Sequence, residues 1–206
     1  MSAPKVILIG GCPGAGKTTL GRALASQLDY ASLTIDDLFN AARAVTTKES
    51  HPGLHQMNTP TYSEYFTHTP VETLIADATI QHQAIWPAVE STIRNHASWG
   101  VPIVIDGWHL RPEWVRALNL ESVSAHWLVV DPEVLERRER KNLDFVSRSN
   151  NPEQMLDRFL SRSLWYNEFI AEQAGRTGDQ ILRQDGTRSV SQLCLQVMKR
   201  FAESAV

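Results

Sequence analysis

The chain has 206 residues, of which 42% are hydrophobic and 21% charged, with a formal net charge of −3. That length favours one domain with a substantial core, and the near-neutral balance gives no sign of a broad basic face for nucleic acid or membrane, which does not exclude a local basic site. No apolar run approaches membrane-spanning length and the N-terminus lacks a secretory h-region, so the expected compartment is the cytoplasm.

Residues 5–9 hold the apolar run Val6-Ile7-Leu8-Ile9 and read as a first strand. "GGCPGAGKTT" follows at residues 10–19. Within it, Gly11-x-x-x-x-Gly16-Lys17-Thr18 is the phosphate-binding P-loop pattern. A random chain of this length should show that pattern about 1% of the time. Leu20, Ala23, Leu24 and Leu28 then fall at helical spacing and predict a helix over 17–28. Strand, glycine loop and helix is the order the chemistry requires. Backbone N–H groups turn inward as an anion nest, and the helix adds its free N-terminal N–H groups and the positive end of its dipole. Gly11, Pro13, Gly14, Ala15, Gly16, Lys17, Thr18 and Thr19 are therefore the candidate nucleotide-binding residues. Lys17 would reach the β- and γ-phosphates, and the Thr18 hydroxyl would ligate Mg²⁺. Cys12 lies inside the loop. A pair with Cys194 is conceivable, but a reduced chain fits this position better.

Residues 31–35 read as a short second strand ending at Asp36-Asp37, with a helix over 38–45 capped by Asp36 or Asp37. Residues 46–70 are polar, rich in His, Pro, Thr and Tyr, and poorly periodic, as in an insertion or mobile loop with short helical pieces. Apolar spacing from Val71 predicts a helix toward Trp99, kinked or restarted at Pro87 and ended by Gly100. Ile103-Val104-Ile105 is a fully apolar strand closing on Asp106-Gly107, and 126–130 is another closing on Asp131. Helices over 133–141 and 153–174 flank the polar stretch 142–152. A last strand over 180–182 and a helix over 190–202 complete the chain. Five strands with helical crossovers predict an α/β fold: a doubly wound, five-stranded parallel sheet with helices on both faces, which binds ligands beyond the carboxyl ends of its strands. The whole of 1–206 reads as a single domain, with 37–85 as an acceptor-binding insertion and 137–162 as a helical lid.

Three groups of side chains bear on chemistry. Asp106, at the end of an apolar strand, has the form of a Walker B carboxylate that holds Mg²⁺. Asp36, one strand over, is placed to orient an acceptor hydroxyl and take its proton, with Asp37 the better helix cap. The segment "LERRERKNLDFVSRSNNPEQMLDRFLSR" crowds seven basic residues around a polar loop. Several must form a solvated face, but lid arginines also clamp a transferring phosphoryl group, and Arg140 and Arg148 are best positioned for that. The histidines do not show metal-ligand spacing. The tryptophans are mostly core by type, except that Trp108, just after Asp106-Gly107, can line a substrate pocket.

"GGCPGAGKTT", an Asp ending strand two, "VIDGWHLRP" and the late arginine-rich helix pair resemble the P-loop small-molecule kinases, which include nucleotide kinases, shikimate kinase and chloramphenicol phosphotransferase. The resemblance is nearest to the 2-phosphoglycerate kinase-like group and extends loosely over nearly the whole chain. That group has an acidic residue, Gly, a variable residue, His-Leu and a nearby Pro after strand three, and Asp106-Gly107-Trp108-His109-Leu110-Arg111-Pro112 is similar, with Asp where Glu is usual. "HPGLHQMNTPTYSEY" and residues 81–83 are similar too. An Arg is usual near the position of Phe39; here Arg43 is the nearest. The resemblance implies a nucleotide-kinase-like P-loop fold and an ATP- and Mg²⁺-dependent transfer to a hydroxyl of a small metabolite. It implies Asp36, Arg43, Trp108 and His109 on the acceptor side, a monomer or homodimer, and no nucleic-acid or membrane partner. The alternative is a nucleotide-dependent switch or a regulatory P-loop module without kinase activity. A guanine-specific Asn-Lys-x-Asp element is not found, since "KNLD" at 141–144 has the letters in the wrong order.

Overall fold

The apolar run at 6–9 becomes the middle of a sheet. In the computed structural model, which describes residues 3–57, 61–142 and 149–203, β1 (Val6–Gly11) is flanked by β3 (Ile103–Asp106) and β4 (Val123–Val130). β2 (Ala31–Thr34) and β5 (Gln180–Gln184) form the two edges, and the order β2-β3-β1-β4-β5 is parallel throughout. Every residue of β1 and β3 is buried, which requires cover on both faces. The expected five-stranded, doubly wound sheet is the fold.

α1 (Lys17–Leu28) packs on β1, β2 and β3 and on α8 (Val190–Glu203). α4 (Val71–Ser98) and α7 (Pro152–Thr177) pack on one another and on β1, and α5 (Pro112–Ala117) lies on α7. α2 (Ile35–Ala44), a 3₁₀ turn (Pro52–His55) and α3 (Tyr62–His68) lie between β2 and α4 in the chain. α6 (Pro132–Glu139) follows β4. Both cysteines are buried and free.

Four local expectations change. Neither Asp36 nor Asp37 caps the helix after β2. α2 starts at Ile35, Thr34 is its N-cap without a side-chain cap bond, and both carboxylates stand in the first turn. There they complement the positive end of the helix dipole instead. α4 runs unbroken through Pro87. Its buried stripe Leu74, Ala78, His82, Ile85, Val89, Ile93 outweighs the one backbone hydrogen bond that proline removes. α5, which has only six residues, escapes a periodicity argument. Trp99 is 79% exposed, whereas Trp127 is fully buried, so residue type alone misplaces one of the six tryptophans.

Tyr65, Phe66, Leu74, Met155 and Phe159 form a second, smaller apolar cluster apart from the main core. It ties α3 to the first turns of α7, and Arg158 reinforces it by donating to the Thr67 carbonyl. α3, the start of α4 and the first turns of α7 thus share a small core of their own.

Candidate active site

β1 lies where the chain turns outward in both directions, so the crevice at its carboxyl end is the topological switch point where such sheets bind ligands. The loop at residues 12–16 fills that position. Gly14 has φ +78°, and a Cβ there would lie 2.4 Å from Glu139 Oε1. Gly16 caps α1 in the left-handed region with φ 99°. Only glycine takes both places without strain. Lys17 is 9% exposed, and its Nζ donates to the Cys12 carbonyl at 2.7 Å, which holds the ammonium within the loop. Burial lowers its pKa, against the attraction of the carboxylates of Asp36, Asp106 and Glu139. Burial likewise pushes the Cys12 thiol up to about 11, so this cysteine is a neutral packing group.

In-register pairing sets Asp106 beside both Ile9 and Thr34, bringing the ends of β1, β2 and β3 to one edge. Asp106 is 4% exposed. Burial raises its pKa, opposed first by a hydrogen bond from Thr18 and then by Lys17. Its Oδ2 is buried without a hydrogen-bond partner. A carboxylate oxygen left open beside a threonine hydroxyl is an oxygen-donor pair that fits a hard divalent cation such as Mg²⁺. Among the described residues no group of three His, Cys, Asp or Glu side chains forms a metal site, and a phosphate-borne cation does not need one.

Asp36 opens into the cleft, with its side chain 61% exposed. Desolvation by the surrounding walls raises its pKa; Lys17 lowers it and Asp37 raises it. The cleft measures about 570 Å³. One end is Pro13, Gly14 and residues 16–19 of the loop, and the other is Phe39, Arg43, Leu54, Tyr65, Gln81, Trp108 and Arg162, with Asp36 also on its lining. Loop residues and residues of α2, α4 and α7 thus face one space. Ala15 is buried, with its carbonyl turned to α6. His109 is 2% exposed on its side chain and lies 3.8 Å from Asp36, measured from Nδ1 to Oδ1. Its pKa falls to about 3 because of burial, with Lys17 and Arg162 adding to the effect, so the ring is neutral.

The basic residues separate by position. Arg140 is exposed and held by Glu136 at 2.8 Å and Glu153 at 3.2 Å. Arg148 lies outside the described residues. Arg138, which sequence reasoning did not single out, donates from Nη1 to the Ala15 carbonyl at 3.1 Å, and Glu139 packs on Gly14. α6 therefore grips the P-loop directly. Arg162 was also missed. It is 7% exposed, and its guanidinium lies 4.6 to 5.6 Å from the rings of Phe66, Trp108 and Phe159. Its Nε has no hydrogen-bond partner, and burial lowers its pKa to about 10. A signal existed: Met155, Phe159, Arg162 and Tyr166 keep core spacing, so the arginine occupies an apolar register. His82 breaks the stripe of α4 in the same way.

Residues 6–163 match the AAA domain family. The 2-phosphoglycerate kinase of Pyrococcus furiosus is 26% identical over 151 residues, covering 72% of this chain and 50% of that protein. The 2-phosphoglycerate kinase of Methanocaldococcus jannaschii is 22% identical over 199 residues, covering 95% of this chain and 63% of that protein. The chain spans about half the length of the curated relatives it matches. Among solved structures, a gluconokinase from Sinorhizobium meliloti superposes with a TM-score of 0.56 at 16% identity, over all of this chain and 95% of that one. A shikimate kinase from Acinetobacter baumannii does so with a TM-score of 0.51 at 16% identity, over 98% and 95%. At these identities the structural likeness bears on the fold.

Proposed function

The chain belongs to the AAA domain family, and from that premise we propose that it is an ATP-dependent phosphotransferase acting on a hydroxyl of a small metabolite. One observation carries the reading: Lys17, Thr18 and Asp36 line one cleft whose far end is walled by aromatic and cationic side chains, and Thr18 is hydrogen-bonded to the buried Asp106. The curated relatives and solved neighbours named as kinases support it.

The loop N–H groups and Lys17 bind and neutralise the β- and γ-phosphates. Thr18 and Asp106 would hold Mg²⁺, which would supply further charge neutralisation on the phosphates. Asp36 orients the acceptor and takes its proton. The acceptor oxygen forms the new bond to the γ-phosphorus, the bond from that phosphorus to the β–γ bridging oxygen breaks, and the electron pair leaves with ADP. Trp108 borders the acceptor, whereas His109, expected on the acceptor side, is buried and does not line the cleft. Arg43 and Arg162 each have an Nε without a hydrogen-bond partner and form no ion pair among the described residues. Unpaired guanidinium groups favour an acceptor that carries a carboxylate or phosphate. Arg140 and Arg148 are the arginines proposed to close over the γ-phosphate, and Arg138 adds a cation already in contact with the loop. Residues 37–85 act as the acceptor-binding insertion and 137–162 as the lid.

The test is ATP consumption with Mg²⁺ against a panel of hydroxyl-bearing metabolites, for the wild type and Lys17→Ala. A matching acceptor should raise consumption well above hydrolysis by water, and Lys17→Ala should lose on the order of 10²-fold in turnover, as for other lost electrostatic stabilisers. A folded Lys17→Ala protein with undiminished turnover rules the mechanism out. A wild type that binds ATP but is stimulated by no acceptor favours the nucleotide-dependent switch.

A further inference from the structure

Two imidazoles are buried side by side behind Asp36. His82, from α4, is fully buried, and its Nδ1 accepts from Arg111 Nε at 3.3 Å. That bond assigns the proton of neutral His82 to Nε2. Arg111 is itself held by Thr79 and lies over the rings of Trp114 and Phe169. The His82 ring lies 4.9 Å from the ring of His109, and Phe39 stacks on His109 from α2 at 5.2 Å. His109 is thus held by packing, yet its Nδ1 is buried without a hydrogen-bond partner. A histidine serving only to fill space would normally satisfy such an atom, because an unmade bond in the interior costs about 1–3 kcal/mol. The Asp36 carboxylate lies 3.8 Å from that nitrogen, measured to Oδ1.

We propose that His109 is a positioning residue for Asp36: its Nδ1–H closes onto Oδ1 when nucleotide fills the cleft, which leaves Oδ2 free for the acceptor hydroxyl or, without an acceptor, for water. The tautomer follows from the contact. An unprotonated Nδ1 would point a lone pair at a carboxylate, whereas Nδ1–H offers it a donor. The neutral state matters as well. Lys17 and Arg162 both disfavour protonation of this ring, so His109 donates without competing for the acceptor's proton, which passes to Asp36. Arg111 and His82 act one step further back, as the rigid support that fixes the ring. This role rests on the phosphotransferase reading for its chemistry and on the protein alone for its geometry.

Two measurements test the two parts separately. The first is the long-range ¹⁵N–¹H spectrum of the histidines in the full chain loaded with Mg²⁺ and the imido analogue of ATP. His109 should show the Nδ1–H tautomer, with a proton shift moved by Asp36→Asn. An Nε2–H tautomer, or no response to Asp36→Asn, overturns the proposal whether or not the protein is a kinase. The second is ATP hydrolysis with water as acceptor. His109→Phe keeps the stack on Phe39 and removes the donor, while His109→Asn keeps a donor near the same place. A displaced reacting group costs up to about 10²-fold, so His109→Phe should lower kcat about 10- to 100-fold with KM for ATP within twofold, and move the acid limb of kcat to higher pH. His109→Asn should recover most of the loss. Equal defects in both variants, or losses that track melting temperature, make His109 a packing residue and overturn the proposal. Failure of the phosphotransferase reading has a different signature, an absence of acceptor stimulation with the tautomer result intact.

Discussion

Asp106 ends β3 and Asp36 stands in the first turn of α2, just past neighbouring β2, and their surroundings differ. Asp106 is closed in and bonded by Thr18, with one oxygen left over, whereas Asp36 stands on the open side of the cleft beside neutral His109. A carboxylate that receives a proton must be ionised before transfer, and desolvation raises the pKa of Asp36. Activity should therefore fall as pH drops through a value above the ordinary aspartate range of about 3.9. Asp36→Asn should abolish transfer and leave ATP·Mg²⁺ binding largely intact, since the proposed role of Asp36 is on the acceptor and not on the phosphates. Asp106→Asn should instead shift the Mg²⁺ dependence to higher concentration. Calorimetric titration of both variants with ATP at several Mg²⁺ concentrations separates the roles. Weak nucleotide binding in the Asp36 variant, with an unaltered Mg²⁺ dependence in the Asp106 variant, would exchange them.

At the scale of elements, α6 and the P-loop act as one body through Arg138, Glu139 and Gly14, while α3 and the start of α7 share the smaller apolar cluster. Nucleotide in the loop should therefore be felt in α6, and acceptor in α3 and α7. Hydrogen exchange with Mg²⁺ and the imido analogue should gain protection over 11–19 and 132–142 together, and over 149–162 when the lid closes. Arg140→Ala should lower turnover about tenfold or more if that side chain leaves Glu136 and Glu153 to reach the γ-phosphate. Normal turnover with protection confined to the P-loop would leave Arg140 as part of a solvated face, with Arg138 as the closing cation. The sequence made much of this arrangement legible, because the loop needs glycines where φ is positive and because unbroken apolar runs belong to covered parallel strands. It could not rank the arginines. Helical periodicity says which face is apolar, not which cation of a polar face touches a loop 123 residues away, as Arg138 touches Ala15. Arg162 and His82 were legible in principle as polar residues in an apolar register. The two Asp residues after β2 misled as caps because Asp is favoured both at the N-cap and in the first turn.

For the whole molecule, the buried imidazoles tie the site to stability. His109 titrates at about 3 when folded and His82 well below its ordinary value, against about 6.5 in an unfolded chain. Between those limits the unfolded state binds protons that the folded state refuses, so stability is present above pH 6.5 and is lost as pH falls toward 3. One such group contributes a slope of about 1.4 kcal/mol per pH unit at most. Asp36, Asp106 and Glu139 act in the opposite sense, since their folded pKa values are raised and the folded state takes up their protons first. The net curve mixes both signs, but a difference curve isolates one group. Urea unfolding of wild type and His109→Phe, followed by tryptophan fluorescence at pH 7, 6 and 5 and constant ionic strength, should show the wild type losing stability more steeply on acidification. At pH 7 the variant should be no less stable, because it also removes a buried nitrogen without a partner. Parallel pH dependences would mean that His109 is protonated in the folded protein near its ordinary pKa. A charged ring 3.8 Å from Asp36 would then be an ion-pair partner and not the neutral donor proposed above.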